Sequence, residues 1–237
     1  MILPEHEANR MLADAGMPMI AMREVKSAED ARMRAGDLGC PVALKLSSVL
    51  YSHKTEVGGV LLNLASEEDV GKAFEKLEKL RDSLDSRASI IMEPMAPTGT
   101  EFFIGFQLHP QFGPVMGLGL GGVWLELIQD VTFRLLPARM ADFREMCAEL
   151  KSWSKLQRGY RNLPPLDEGI LTNLMEKTAE VALSHPEIVE LDLNPVVVRS
   201  DGAIIVDARV LIDSSPLFFE AGLCSDDGAA GTLPDRS

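Results

Sequence analysis

The stretch that decides the fold is ELDLNPVVVRSDGAIIVDARV, residues 190–210. Two β-branched, apolar runs flank Arg199-Ser200-Asp201-Gly202, a turn composition that makes a hairpin the natural reading. With those four residues as the loop, Val198 faces Ala203, and the same register sets Asn194 opposite Asp207 on one face. Asp192 lies two residues before Asn194 and projects from that face too. Three hard oxygen donors there suit magnesium held by a few protein ligands together with substrate phosphates. The alternative is that these polar residues decorate the open face of a hairpin.

Outward from the hairpin, the chain alternates between the two structural periods. Helices are expected over Glu5–Ala15, from the Ser27 cap to Gly39, over Ser66–Arg81, Ala141–Trp153 and Asp167–Ser184. Strands are expected over Pro41–Leu46, Val57–Leu64, Ser89–Glu93, Glu101–Leu108 and Val115–Leu118. The order of elements is α+β, with helices flanking mainly antiparallel sheets. Residues after Ser214 lack periodicity and read as a loose tail.

Lys45 sits in an apolar strand, where an unpaired ammonium is costly to bury and a phosphate would compensate it. A lysine that snorkels to solvent is the bland alternative. Val57-Gly58-Gly59-Val60 offers paired glycines whose amides can approach an anion, or simply a tight turn. Glu93-Pro94-Met95, with Glu101 opening the next strand, is a connection able to meet an adenine edge and a ribose, or an ordinary turn. The cluster Gly117-Leu118-Gly119-Leu120-Gly121-Gly122 lacks dinucleotide-binding spacing and reads as a flexible loop closing over a ligand. Glu126, Asp130 and Arg134 follow at four-residue steps and read as a solvated helical face. His53, beside Lys54 in the polar loop SSVLYSHKTE, is placed to act as a nucleophile towards a phosphoryl group, or is a surface histidine.

The bulk numbers narrow the classes. With 237 residues, 46% hydrophobic and 25% charged, the chain is long enough for one large core or two small ones. A net charge of -13 disfavours nucleic-acid binding. No apolar run reaches membrane-spanning length, and the start MILPEHEANRM has acidic residues where a secretion signal carries a basic one, so a cytoplasmic protein without a membrane partner is expected. Cys40, Cys147 and Cys224 have no metal or disulfide spacing and read as reduced.

In combination, ALKLSSVLYSHKTEVGGVLLNL, IIMEPMAPTGTEFFIGFQLHPQFGPVMGLGLGGVWLELIQDVTFRLLP and the closing hairpin resemble the nucleotide-binding subunit of the NDP-forming acyl-CoA synthetases, in the branch of ADP-forming acetyl-CoA synthetase. The resemblance covers about residues 4–212 and implies an ATP-grasp fold in two α+β subdomains with the nucleotide between them. The small subdomain would run over about 20–95. The larger would comprise the N-terminal helices and about 96–213, with 214–237 a flexible tail. By the same resemblance Lys45 contacts ATP phosphates, Glu93 and Met95 line the adenosine pocket, Glu101 helps hold the nucleotide, and Asn194 and Asp207 bind Mg2+. His53 matches the histidine thought to relay a phosphoryl group. ATP or ADP is then substrate, Mg2+ the cofactor, and phosphate a reactant. The family also requires a CoA-binding module, and because no Rossmann fingerprint for one is present, the resemblance implies a separate CoA-binding alpha subunit in an α2β2 hetero-oligomer. The rivals are a self-contained ATP-grasp carboxylate–amine ligase and a non-catalytic nucleotide-binding subunit.

Overall fold

The computed structural model describes residues 1–50, 54, 57–161 and 163–213. His53, Cys224 and the expected tail lie outside them. In chain order the elements are α1 Glu5–Asp14, β1 Arg23–Val25, α2 Ala28–Leu38, β2 Val42–Ser47, β3 Val60–Leu64, α3 Glu67–Leu84, β4 Ser89–Pro94, β5 Thr100–His109 and β6 Gly113–Leu120. There follow α4 Val123–Ile128, β7 Val131–Leu135, α5 Met140–Glu149, α6 Trp153–Arg158, α7 Glu168–Ser184, β8 Ile188–Arg199, β9 Gly202–Ile205 and β10 Ala208–Ile212.

Two antiparallel sheets organise these elements. The first has the order β1-β4-β2-β3; the second runs β10-β8-β5-β6-β7, with β9 pairing β8. Each sheet has its own core. In the four-stranded sheet, Leu44, Leu46, Ile90 and Met92 pack against Val70, Phe74 and Leu77 of α3. In the larger sheet, Phe102, Ile104, Leu191 and Leu193 meet α5 and α7 through Phe143, Met146 and Met175, and α1 through Leu12. Burying one face of each sheet leaves the alternate residues of the same strands on the opposite face. That opposite face is where Lys45, Glu93 and Asp192 emerge.

Local chemistry sets the helix starts. Ser27, Ser66 and Asp167 accept hydrogen bonds from the amides of Asp30, Asp69 and Gly169, satisfying first-turn donors that the helix cannot. Gly39 closes α2 at φ 79°, in the region glycine tolerates. No helix among the described residues is long and apolar enough to cross a membrane.

Three expectations need correcting. The glycine cluster is not a loop as far as Leu120, because Gly117 and Gly119 lie within β6, paired with β5 on one side and β7 on the other. Close approach explains the glycines: a Cβ on Gly121 would stand 2.5 Å from the Phe102 carbonyl carbon, and one on Gly119 2.9 Å from the Asp130 carbonyl oxygen. Glu126, Asp130 and Arg134 do not share a helix, since α4 ends at Ile128 and β7 begins at Val131. Asp130 instead accepts from the amides of Lys151 and Ser152, and Arg134 pairs with Glu149. Finally, β3 starts at Val60, with Val57 and Gly58 in a turn where Gly58 has φ 72°.

Candidate functional site

The cleft lies where β2 and β4 of the small sheet meet α1 and the β8–β10 end of the large one. It encloses about 410 Å³, and Glu5, Ser48, Lys54, Asp192, Asn194 and Asp207 are among its lining residues.

The closing hairpin has the register read from its sequence. Val198 pairs with Ala203, and the Asn194 amide donates to the Asp207 carbonyl at 3.1 Å. Both residues and Asp192 therefore reach one cleft. The Asn194 side-chain oxygen accepts from the Gly122 amide at 2.9 Å, which ties the hairpin to the end of β6. Glu101, at the start of β5, is exposed and aims Oε2 at Gly122, where a Cβ would come within 2.0 Å of it.

Lys45 is buried on the face of β2 opposite Leu44 and Leu46. Its ammonium lies 2.6 Å from Glu93 and 3.9 Å from Glu5. Burial alone would lower its pKa, but Glu93, Glu5 and Asp207 together reverse the sign and raise it, so Lys45 stays charged. Lys54 bonds to Glu5 and lies 3.5 Å from Asp207. Glu93, Asp192 and Glu5 are pushed up as well, towards their neutral forms. Burial lifts Glu93 to about 7 despite Lys45 beside it. Burial and the Asp207 carboxylate lift Asp192 to about 6, and the same two causes raise Glu5. Glu5 Oε1, Glu93 Oε2 and Asp192 Oδ1 are buried without a hydrogen-bond partner among the described residues. Three carboxylates, Glu5, Glu93 and Asp207, thus face two ammonium groups, while Asp192 beside them has Arg209 as its cationic neighbour, an arrangement rich in unused acceptors.

Glu5 and Lys54 are the members that the sequence reading did not single out. An acidic residue in the first turn of α1 is fully accounted for by the helix dipole, so nothing local signals its burial. Met95 follows β4 on the small sheet, where its amide donates to the Pro41 carbonyl at 3.4 Å and its sulfur accepts from the Asn63 amide. Gly58 and Gly59 are not brought into the cleft. The Gly59 amide is already given to the Lys54 carbonyl at 2.8 Å, while Gly58 lines a separate groove with Lys72 and Lys76 of α3.

The sequence profile of the ATP-grasp domain family matches residues 1–212. The chain belongs to this family. Within it, the chain is an ATP-grasp subunit of the ADP-forming acyl-CoA synthetase type. It is 35% identical to subunit beta of an ADP-forming acetate–CoA ligase of Pyrococcus furiosus, an alignment covering 89% of this chain and 91% of that one. A single-chain ADP-forming acetate–CoA ligase of Archaeoglobus fulgidus is 37% identical over 92% of this chain but only 31% of its own length. Among solved structures, the ATP-grasp fold recurs in acetyl-coenzyme A synthetase 1 of Ca. Korarchaeum cryptofilum with coenzyme A and Mg-AMPPCP. That structure matches with a TM-score of 0.77 at 36% identity, covering 90% of this chain and 93% of that one. Its phosphohistidine segment points towards the nucleotide-binding site.

Proposed function

We propose that this ATP-grasp chain handles the nucleotide half of an acid–CoA ligation, in which acid, ATP and CoA give acyl-CoA, ADP and phosphate through acyl phosphate and phosphohistidine. The observation that carries the reading is the buried array in which Lys45 and Lys54 are held among Glu5, Glu93 and Asp207 at the junction of two sheets.

Lys45 offsets the negative charge of the transferring phosphoryl group, the kind of preorganised electrostatic stabilisation that dominates such chemistry. Glu93 and Met95 line the adenosine side, between a small subdomain of about 20–95 and a larger one of about 96–213 with the N-terminal helix. Glu101 holds the nucleotide from β5, and the Gly58–Gly59 turn sets the position of Lys54 against β2. For Mg2+, the donors available are the Asp192, Asn194 and Asp207 oxygens. No three His, Cys, Asp or Glu side chains converge as a closed metal cluster among the described residues. The partnerless Asp192 Oδ1 and the all-oxygen set fit a cation that keeps part of its shell for phosphates. Bound there, Mg2+ would supply neutralisation of charge on the nucleotide phosphates.

In this scheme His53 carries the phosphoryl group: an imidazole nitrogen bonds to the γ-phosphorus as the bond to the ADP oxygen breaks, and the group then passes to the partner's site. The presence of its neighbour Lys54 in the cleft supports that role. The partner is a CoA-binding alpha subunit, in an α2β2 assembly in the cytoplasm. The subunit naming of the Pyrococcus relative and the threefold greater length of the Archaeoglobus one support a second component. The test is γ-labelled ATP given to the reconstituted complex. Acid-labile label should appear on the wild-type chain and be absent from His53→Ala, and a His53→Ala complex that turns over normally would remove the relay.

A further inference from the structure

Helix α1 belongs to the large core, yet its first turn reaches across to the small sheet. Ala8 and Leu12 pack into the core of the six-stranded sheet, and the Asn9 side chain donates to the Ile20 carbonyl at 3.1 Å. From that anchored helix two successive side chains meet one face of β2. His6 Nδ1 shares a hydrogen bond with Ser47 Oγ at 3.3 Å, and Glu5 Oε1 lies 3.9 Å from the Lys45 ammonium. Lys45 and Ser47 are two residues apart and so project from the same side of the strand.

A first-turn carboxylate that only complements the helix dipole can stay in water, and Glu7 of the same turn, partly exposed, already supplies that charge. Glu5 is only 7% exposed, and burying a carboxylate is costly unless cations offset it. Its offset is divided between two of them: Oε2 is bonded to the Lys54 ammonium, while Oε1 faces Lys45. The two lysines do not depend on it equally. Lys45 has Glu93 at 2.6 Å whether or not Glu5 is there. Among the described residues the one other carboxylate in reach of Lys54 is Asp207, at 3.5 Å, and Asp207 is a Mg2+ donor in the function proposed above. The Lys54 main chain is held as well: its carbonyl accepts from the Gly59 amide, and the Gly59 carbonyl accepts from Leu46 of β2, each at 2.8 Å. Lys54 is thus fixed at both ends, and His53 is the residue before it in the chain.

We propose that Glu5 is a positioning residue for phosphoryl transfer. Its carboxylate sets the Lys54 ammonium, and with it the point of the chain next to His53, while nucleotide binding is left to Lys45 and the metal donors. The role rests on the function proposed above and deepens it. Glu5 acts through Lys54 and not on the reacting atoms. A purely structural carboxylate would weaken binding and transfer together when lost. A positioning carboxylate separates the two, because a misplacement of about 1 Å at the reacting groups costs about 100-fold in rate, whereas binding rests on Lys45, which Glu93 still holds. Glu5 also lines the cleft, so removing its negative charge favours an anionic ligand.

Rapid quenching follows acid-labile label from γ-labelled ATP onto this chain in the reconstituted complex, and calorimetry reads the affinity of the same complex for a non-transferable Mg-ATP analogue. Glu5→Gln, which drops the charge, and Glu5→Asp, which draws it back by one methylene, should each slow labelling about 10-fold or more. Analogue affinity should stay within about twofold of wild type for Glu5→Asp, and be equal or tighter for Glu5→Gln. Glu7→Gln removes the same charge from the same helical turn and should change neither reading by more than about twofold. Labelling at the wild-type rate in either Glu5 variant would overturn the role, as would equal slowing by Glu7→Gln. So would affinity and rate falling in parallel, the mark of a cleft that has merely loosened. Urea unfolding shows whether each variant is folded; should Glu5→Gln fail to fold, Glu5→Asp, which keeps the charge, decides alone. No label on wild type refutes the function and this role with it, whereas label on wild type that is undiminished in the Glu5 variants removes the role alone.

Discussion

Replacing Glu93 with glutamine should flatten the pH dependence of folding stability. Burial, outweighing the attraction of Lys45 at 2.6 Å, pushes this carboxyl up to about 7 from the usual 4.5. A group that holds its proton more tightly folded than unfolded contributes stability fully present below 4.5 and lost as the pH climbs through about 7. At about 1.4 kcal/mol per pH unit, the interval from 4.5 to about 7 is worth about 3 kcal/mol, of which about 2 falls between roughly pH 5.5 and pH 8. Asp192 and Glu5 push stability in the same direction in both proteins, and because Glu5 shares the Lys45 ammonium with Glu93, the difference between wild type and Glu93→Gln reports Glu93 together with its coupling to Glu5. Loss of the partner of Lys45 shifts the variant's curve by a near-constant offset, because Lys45 stays charged throughout. Urea unfolding of the nucleotide-free chain at a series of pH values supplies both curves. Wild type should lose about 2 kcal/mol more than the variant over that range. Parallel curves would refute a carboxyl buried beside Lys45.

Lys45→Ala should weaken Mg-nucleotide binding about 30-fold or more, read by calorimetry, since it removes the buried charge that the proposed function sets against the phosphates. Asp207→Asn should cut the magnesium-dependent part of nucleotide affinity by about 10-fold or more, and leave the affinity measured in chelator nearly unchanged. Phe74→Ala should cost about 3–5 kcal/mol in urea unfolding by opening a cavity between α3 and the small sheet, where the ring is fully buried.

What could be read from the sequence was what neighbours in the chain decide. The hairpin register depends on four turn residues, and Asn194 opposite Asp207 follows by counting. The caps at Ser27 and Ser66 are equally local. Gly117 was misjudged because its requirement for glycine comes from Phe103 and Phe133, each more than ten residues away in the chain and brought over it only by strand pairing. Short elements such as β1, α4, β7 and α6 carry too few residues for a period to declare itself. Glu5 was invisible for a different reason: its position has a sufficient local explanation, and its burial against Lys45 and Lys54 exists only once two sheets have met.

That meeting also governs how the polypeptide can come apart. Glu5, near the start of the chain, and Asp207, near the end of the described part, grip the same Lys54 ammonium. Residues 1–3 run beside β10, with the Leu3 amide donating to the Val210 carbonyl at 2.9 Å. No fragment released from the ribosome before β10 can assemble this cleft. Occupancy of this cleft by a ligand therefore requires α1, the Lys54 loop and the β8–β10 hairpin together, and its stabilising free energy opposes the opening of all three at once.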